Sequence, residues 1–217
     1  MSGPAAAGLE DRVGFALTVP ESWFELDLAP ATRDDAVRRL VEDRLRGQQE
    51  LWEARQGVMR ILREEAATAW DSGAAYAACL VHPTDEGPIT ASLTVSLVRG
   101  PVGAEDTQDL LGTLETVPRT DDGRFTSVTA VRLGDAPADC ARSYGVDDLP
   151  VAGGYVRTVF MQTFVRVPGM NKYFVVSAGS PVVALAEDLL DLFDAITGTF
   201  RVVPLEPTAS TARTGDR

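Results

Sequence analysis

Residues 155–177 read YVRTVFMQTFVRVPGMNKYFVVS. Pro168, Gly169, Met170 and Asn171 form a strong turn, because proline presets one turn position and glycine or asparagine tolerates backbone angles that other residues avoid. The flanking segments, 155–167 and 172–177, then read as the two strands of a hairpin. It is the clearest local pattern in the chain, and the rest of the fold is read outward from it. Upstream, 89–98 alternates through Ile89, Ala91, Leu93, Val95 and Leu97, the period of a half-buried strand. With 76–81 it predicts a second hairpin across a turn-rich connection at 82–88.

Segments 125–133 and 141–144 read as further strands separated by a loop at 134–139. Residues 144–155, with two aspartates and a Gly-Gly pair, read as a connecting loop. Near the start, Phe15, Leu17 and Val19 alternate along a strand at 13–19 that Pro20 ends, and 23–28 continues the sheet edge. Thr32 offers an N-cap with Asp35 three residues on, and Val37, Leu40, Val41 and Leu45 recur at helical spacing over 34–46. Gly47 interrupts the pattern. Leu51, Ala54, Val58, Leu62, Ala66 and Ala69 then mark one side of a longer helix that Gly73 stops. A linker at 100–103 leads to a short acidic helix at 104–115. Ser180 as cap and Pro181 at the first helical position open a last helix at 181–196, before a closing strand at 199–203.

Antiparallel hairpins with helices at both ends, and no alternating βα units, predict an α+β fold: an antiparallel sheet covered by helices, an α/β/α sandwich. The 217 residues fit one domain at 13–204, with a flexible N-terminus at 1–12 and a disordered tail at 205–217 that lacks apolar periodicity.

The chain carries 32 acidic and 20 basic side chains, a formal net charge of −12. That field repels phosphate backbones and anionic headgroups, so nucleic acid is not an expected partner. No apolar run approaches the roughly 20 residues needed to span a bilayer, so membrane insertion is not expected either. Residues 1–12 lack the basic and apolar regions of a secretory signal, which makes the cytoplasm the expected location. Cys79 and Cys140 lie in apolar, strand-like surroundings and read as two buried thiols.

His82 is the only histidine. Any Ser-His-Asp or Cys-His mechanism must use it as the general base. Cys79 lies three positions away on a strand, which puts the two side chains on opposite faces of the sheet. Zinc needs clustered Cys and His ligands, and only three such residues exist. Asp121, Asp122 and Gly123 lack the alternating oxygens of a calcium loop. The adjacent Asp147 and Asp148 are poorly placed to flank a scissile bond. No glycine-rich phosphate cradle occurs, and helix capping accounts for the weak anion-site pattern at 177–180. No catalytic residue, metal or cofactor is therefore expected.

Two surfaces are candidates for contact. On the long helix, Trp52, Met59 and Trp70 lie about 90° from the Leu51, Val58 and Leu62 stripe, with Arg55 and Arg63 nearby. Trp, Met and Arg are enriched where proteins meet, so the expected partner is another protein or a second copy. On the last helix, Glu187, Asp188, Asp191 and Asp194 oppose the core residues Leu185, Leu189, Leu192, Phe193 and Ile196. Such a face is ordinarily solvated, and otherwise steers a basic partner. The expected function is a non-enzymatic protein-binding or scaffolding module. The alternative is a small-ligand carrier or enzyme with a pocket beneath 144–155, lined by several of His82, Arg142, Asp147, Asp148 and Arg157.

Phe15, Leu17, Val19, Pro20 and Trp23 spell F-x-L-x-V-P-x-x-W, and the chain closes with a hairpin, a helix and Thr199-Phe200-Arg201. In this it resembles the PsbP-like superfamily, including its mycobacterial lipoprotein branch and uncharacterised actinobacterial relatives. The resemblance implies an α/β/α sandwich around an antiparallel sheet. It also implies protein-binding roles of the kind filled by photosystem subunits, a partner of the Ran GTPase and lipoproteins, and for this chain an accessory place in a secretion or envelope machine. The family has no diagnostic catalytic motif to carry over. Without a lipidation cysteine near its start, surface anchoring of this chain is not expected.

Overall fold

Two antiparallel sheets organise the computed structural model, which describes residues 13–46, 49–82, 84, 87–101, 106–115, 125–134, 140–151 and 153–204; the side chains of 49–51, 125, 150 and 151 are not described. The strands are β1 (Val13–Ala16), β2 (Trp23–Glu25), β3 (Tyr76–His82), β4 (Ile89–Arg99), β5 (Phe125–Val131), β6 (Cys140–Val151), β7 (Gly154–Arg166), β8 (Lys172–Ser180) and β9 (Arg201–Pro204). The helices are α1 (Arg33–Leu45), α2 (Gln49–Asp71), α3 (Thr107–Glu115) and α4 (Ala186–Thr197). The α+β class expected from the hairpins is the one observed. The expectations placed on 1–12, Gly47, Asp121 to Gly123, 135–139 and 205–217 lie outside the described residues.

Seven strands make the main sheet in the order β2-β3-β4-β8-β7-β6-β5, and β1 with β9 makes a separate two-stranded ribbon. Both expected hairpins form, with Tyr76 opposite Val95 and Arg166 opposite Tyr173. Alternation decides which face each side chain takes. On one face Leu93, Val95, Val159, Met161, Phe174 and Val176 pack beneath Leu189, Phe193 and Ile196 of α4. The ribbon closes the end of this layer: the Phe15 ring stacks on Phe200 at 5.6 Å and meets Phe174 edge-on at 5.5 Å. On the other face, Ala77, Cys79 and Val81 of β3 pack under Val37, Val41, Val58 and Leu62 of α1 and α2. At the opposite end of that face, Leu110 of α3 packs with Ala141 and Tyr173.

Local chemistry accounts for several boundaries and corrects others. α2 stops at a Schellman cap: Gly73 has φ +76°, its N–H donates to Trp70 O and the Ala74 N–H donates to Ala69 O. Thr32 precedes α1 but makes no side-chain cap; its hydroxyl donates instead to Asp27 Oδ2 at 2.7 Å, while the Ala29 N–H donates to Asp27 Oδ1. The last helix does not begin at Pro181. β8 runs on to Ser180, a 3-10 turn follows at Val183–Leu185, and α4 starts at Ala186. Ser180 still caps locally: its Oγ accepts from the Val182 N–H and donates to Thr90 O. Residues 177–180 therefore belong to a strand, which removes the weak anion site considered there.

The largest correction concerns 144–155. These residues are not a loop: β6 and β7 pair through Val151 opposite Gly154. β5 leaves β6 after Val146, and β8 leaves β7 at Val159. Among the described residues, the pairs from Asp147–Thr158 to Val151–Gly154 thus project beyond their neighbours as a two-stranded arm. Its length is about 17 Å at roughly 3.4 Å per residue. Cys79 and Cys140 are both buried and outside any disulfide, one on each face of the sheet.

Candidate functional site

Among the described residues, helices cover the second face of the sheet only at its two ends, α1 and α2 over β2–β3 and α3 over β5–β6. Between them the sheet centre forms the floor of a cleft of about 600 Å³. Ser92 and Thr94 of β4, Ser177 and Gly179 of β8, Thr158, Phe160 and Gln162 of β7 and Ser143 of β6 line that floor. Glu65 and Thr68 of α2 stand on one side, Leu114 of α3 on the other. Asp147, Leu149 and Val156, at the root of the arm, form the outer lip. Among the described residues, no arginine, lysine or histidine lines it.

The floor arises from the same alternation that builds the core. In β4 the residues Ala91, Leu93 and Val95 point to the α4 side and are buried, so Ser92, Thr94 and Ser96 point the opposite way and are half-buried. A hydroxyl-bearing row on an interior strand suits a face that no helix covers, since hydroxyls sealed under apolar side chains would need partners. Gly179 adds depth: a Cβ there would make ordinary contacts with Thr158 Cγ2 at 3.4 Å and Val159 O at 3.5 Å.

Glu65 is the distinctive charge of the cleft. Burial pushes its carboxyl above the ordinary range, partly countered by a hydrogen bond from the Ser92 hydroxyl and reinforced by the Glu64 charge. Behind it, burial and then the Glu65 charge push the Cys79 thiol up to about 12. That thiol stays protonated and unreactive at ordinary pH.

The residues singled out in the sequence are scattered. Trp52 is 37% exposed and Trp70 47%. They lie on the same side of α2, about 27 Å apart at roughly 1.5 Å per residue. Arg55 packs on Trp52, its Cζ 4.7 Å from the ring centroid, and its Nη1 donates to Trp52 O. Met59 is buried among Val58, Leu62 and the α1 residues. Arg63 reaches across to Asp34, with Nε 3.6 Å from Oδ1, and so ties α2 to α1. Trp52 and Arg55 are brought together, then, while Met59 is drawn into the core.

On α4, Glu187, Asp188, Asp191 and Asp194 are all exposed. Asp194, however, is already engaged: its Oδ1 accepts from Nη1 of Arg142, whose side chain is 6% exposed. The Arg142 Nε donates to the buried Thr163 Oγ1 at 3.0 Å. Of the five residues expected around a pocket, Asp147 lines the cleft. Asp148 and Arg157 pair with each other at 3.0 Å, Arg142 lies on the other face, and His82 is exposed at the end of β3. His82 and Cys79 do face opposite sides. Lining residues that the sequence reading missed include Glu65, Ser92, Thr94, Thr126, Ser143, Thr158, Phe160 and Gln162; Ser177 was weighed there only for an anion. The alternating hydroxyls between the apolar positions of 89–98 were the one visible trace of them.

Among the described residues no helix is long and apolar enough to cross a membrane. No family model matches the chain, and no curated protein matches it. The resemblance to the PsbP-like superfamily is thus not directly confirmed. Among solved structures the chain is similar to LpqN, described as involved in cell envelope biogenesis of Mycobacterium tuberculosis, at 16% identity and a TM-score of 0.47 over 88% of this chain and 84% of that one. A likeness at this level assigns no role.

Proposed function

We propose that this protein is a non-enzymatic binding module whose cleft takes a small, partly apolar molecule without negative charge. The lining carries the reading: hydroxyl and amide groups on the floor, apolar groups on the walls, two carboxylates and no basic side chain among the described residues. An anion entering a part-buried site meets like charge there, with no basic side chain among the described lining residues. A neutral or cationic molecule exchanges its water hydrogen bonds for those of Ser92, Thr94, Ser143 and Ser177 and lays its apolar part on Leu114, Leu149, Val156 and Phe160. The floor hydroxyls have no imidazole among them, in keeping with binding and not transformation. An accessory place in a secretion or envelope machine is compatible with this role.

Octyl glucoside, with a hydroxylated head and an alkyl tail, is a suitable probe. Calorimetric titration below its micelle concentration gives saturable binding to the wild type and none to Ser177→Trp, which fills the floor from a half-exposed position. Should that variant melt early, Thr94→Phe serves the same purpose from the neighbouring strand. Failure of the wild type to bind, or equal binding by a folded blocked variant, overturns the reading.

The exposure of Trp52 with Arg55 on its ring favours a second reading, docking of a protein or a second copy on the outer side of α2. Sedimentation velocity tests self-association: Trp52→Ala weakens it at unchanged Tm, and a wild type that is monomeric at every concentration removes it.

A further inference from the structure

We propose that the cleft's ligand is an organic cation, an amine or quaternary ammonium bearing an alkyl chain, with its head against Glu65 and its chain laid toward Leu149 and Val156. This rests on the reading of the cleft as a ligand site. Glu65 sits on the α2 wall of the cleft, half-buried, with Ser92 in the same lining. Ionised there, it has lost much of its water without gaining a cation, a position that ordinarily calls for a partner. The nearest arginines in sequence are turned elsewhere: Arg60 pairs with Glu64 at 3.2 Å and Arg63 lies against Asp34. Among the described residues no basic side chain lines the cleft, so the counter-charge is left for the ligand to bring.

The other end of the cleft is apolar and continues outward. Leu149 and Val156 face each other across the arm, remain 40% and 39% exposed, and belong to the lining. Phe160 extends the same surface along the floor. A molecule with a charged head and a hydrocarbon tail matches both ends. A compact inorganic cation leaves the apolar end uncovered.

Three probes sharing one alkyl chain decide it: octylammonium, octyl glucoside and octyl sulfate, titrated into the full chain by calorimetry at fixed pH and salt. Octylammonium is expected to bind about tenfold tighter than octyl glucoside, a modest value for a close charge pair. Glu65→Gln removes that advantage, so that octylammonium and octyl glucoside bind this variant with similar affinity. Because glutamine keeps the shape and lowers the buried charge, this variant is expected to fold, and its Tm is checked alongside. Equal affinities for the ammonium and the glucoside, or a wild-type preference that survives in Glu65→Gln, overturn the cation and leave the binding module standing. Failure of all three probes overturns the binding module as well, and so does preferential binding of octyl sulfate.

Discussion

Asp194→Ala removes the carboxylate set against the guanidinium of Arg142, and the cost follows from where each partner sits. The Arg142 side chain is 6% exposed and that of Asp194 62%. Removing one member of a fully buried pair costs roughly 3–5 kcal/mol, whereas an exposed pair contributes about 0–1 kcal/mol. Here the cation is buried and the anion faces water. After the substitution, water reaches the guanidinium only along the side that Asp194 vacates. Nε keeps its bond to Thr163, and Nη2, buried without a partner among the described residues, gains nothing. The expected loss is therefore intermediate, about 2 kcal/mol. For a domain of this size that corresponds to roughly 4–8 °C in Tm. Urea unfolding reads it as a lower midpoint at unchanged m. The double variant Arg142→Met/Asp194→Ala leaves no charge to strand beneath α4 and recovers most of the loss. A single variant within about 0.5 kcal/mol of wild type, below the usual effect of a lost buried pair, refutes the reasoning. So does a double variant less stable than Asp194→Ala.

Two neighbours on α2 behave differently when truncated. Met59→Ala, in the packed layer under α1, costs about 2–5 kcal/mol in urea unfolding, while Trp52→Ala, on the solvent side, stays within roughly 1 kcal/mol; similar losses at the two sites contradict the burial described. Glu65→Gln changes how stability depends on pH. The folded state holds the Glu65 proton to higher pH than the unfolded chain does, whose carboxyl titrates near 4.5. Wild-type stability from this group is therefore present below that value and lost as pH rises through the raised folded pKa. Scans of Tm against pH show Glu65→Gln gaining on wild type as pH rises through that window, the two converging at low pH. A difference independent of pH shows that Glu65 is not held in a desolvating site.

How much of this was legible beforehand differs by feature. The hairpin at 155–177 was readable because its turn lies within four residues. The helix of residues 49–71 was readable because its apolar stripe recurs every turn and Gly73 ends it. The arm was not. Asp147, Asp148, Gly153 and Gly154 are common in loops, and their extended pairing depends on cross-strand partners such as Leu149 opposite Val156. The start of α4 was misjudged because Ser180-Pro181 reads as a helix opening, whereas pairing of β8 with β7 holds Ser180 in the sheet opposite Val159. Met59 and Trp52 carry interface chemistry alike; the packing of α1 on α2 separates them, burying one and leaving the other exposed.

By itself, then, the sequence determined the kinds of element, most of their order and which side chains share a face. Periodicity is a property of a few neighbouring residues, and the backbone expresses it wherever the segment ends up. Only the tertiary structure decided that Ser92 lies across from Gly179, over eighty positions away, and that β4 and β8 sit at the centre of the sheet. Only there does the hydroxyl face of β4 become the floor of a cleft, because alternation says which residues point together and is silent on what, if anything, covers them.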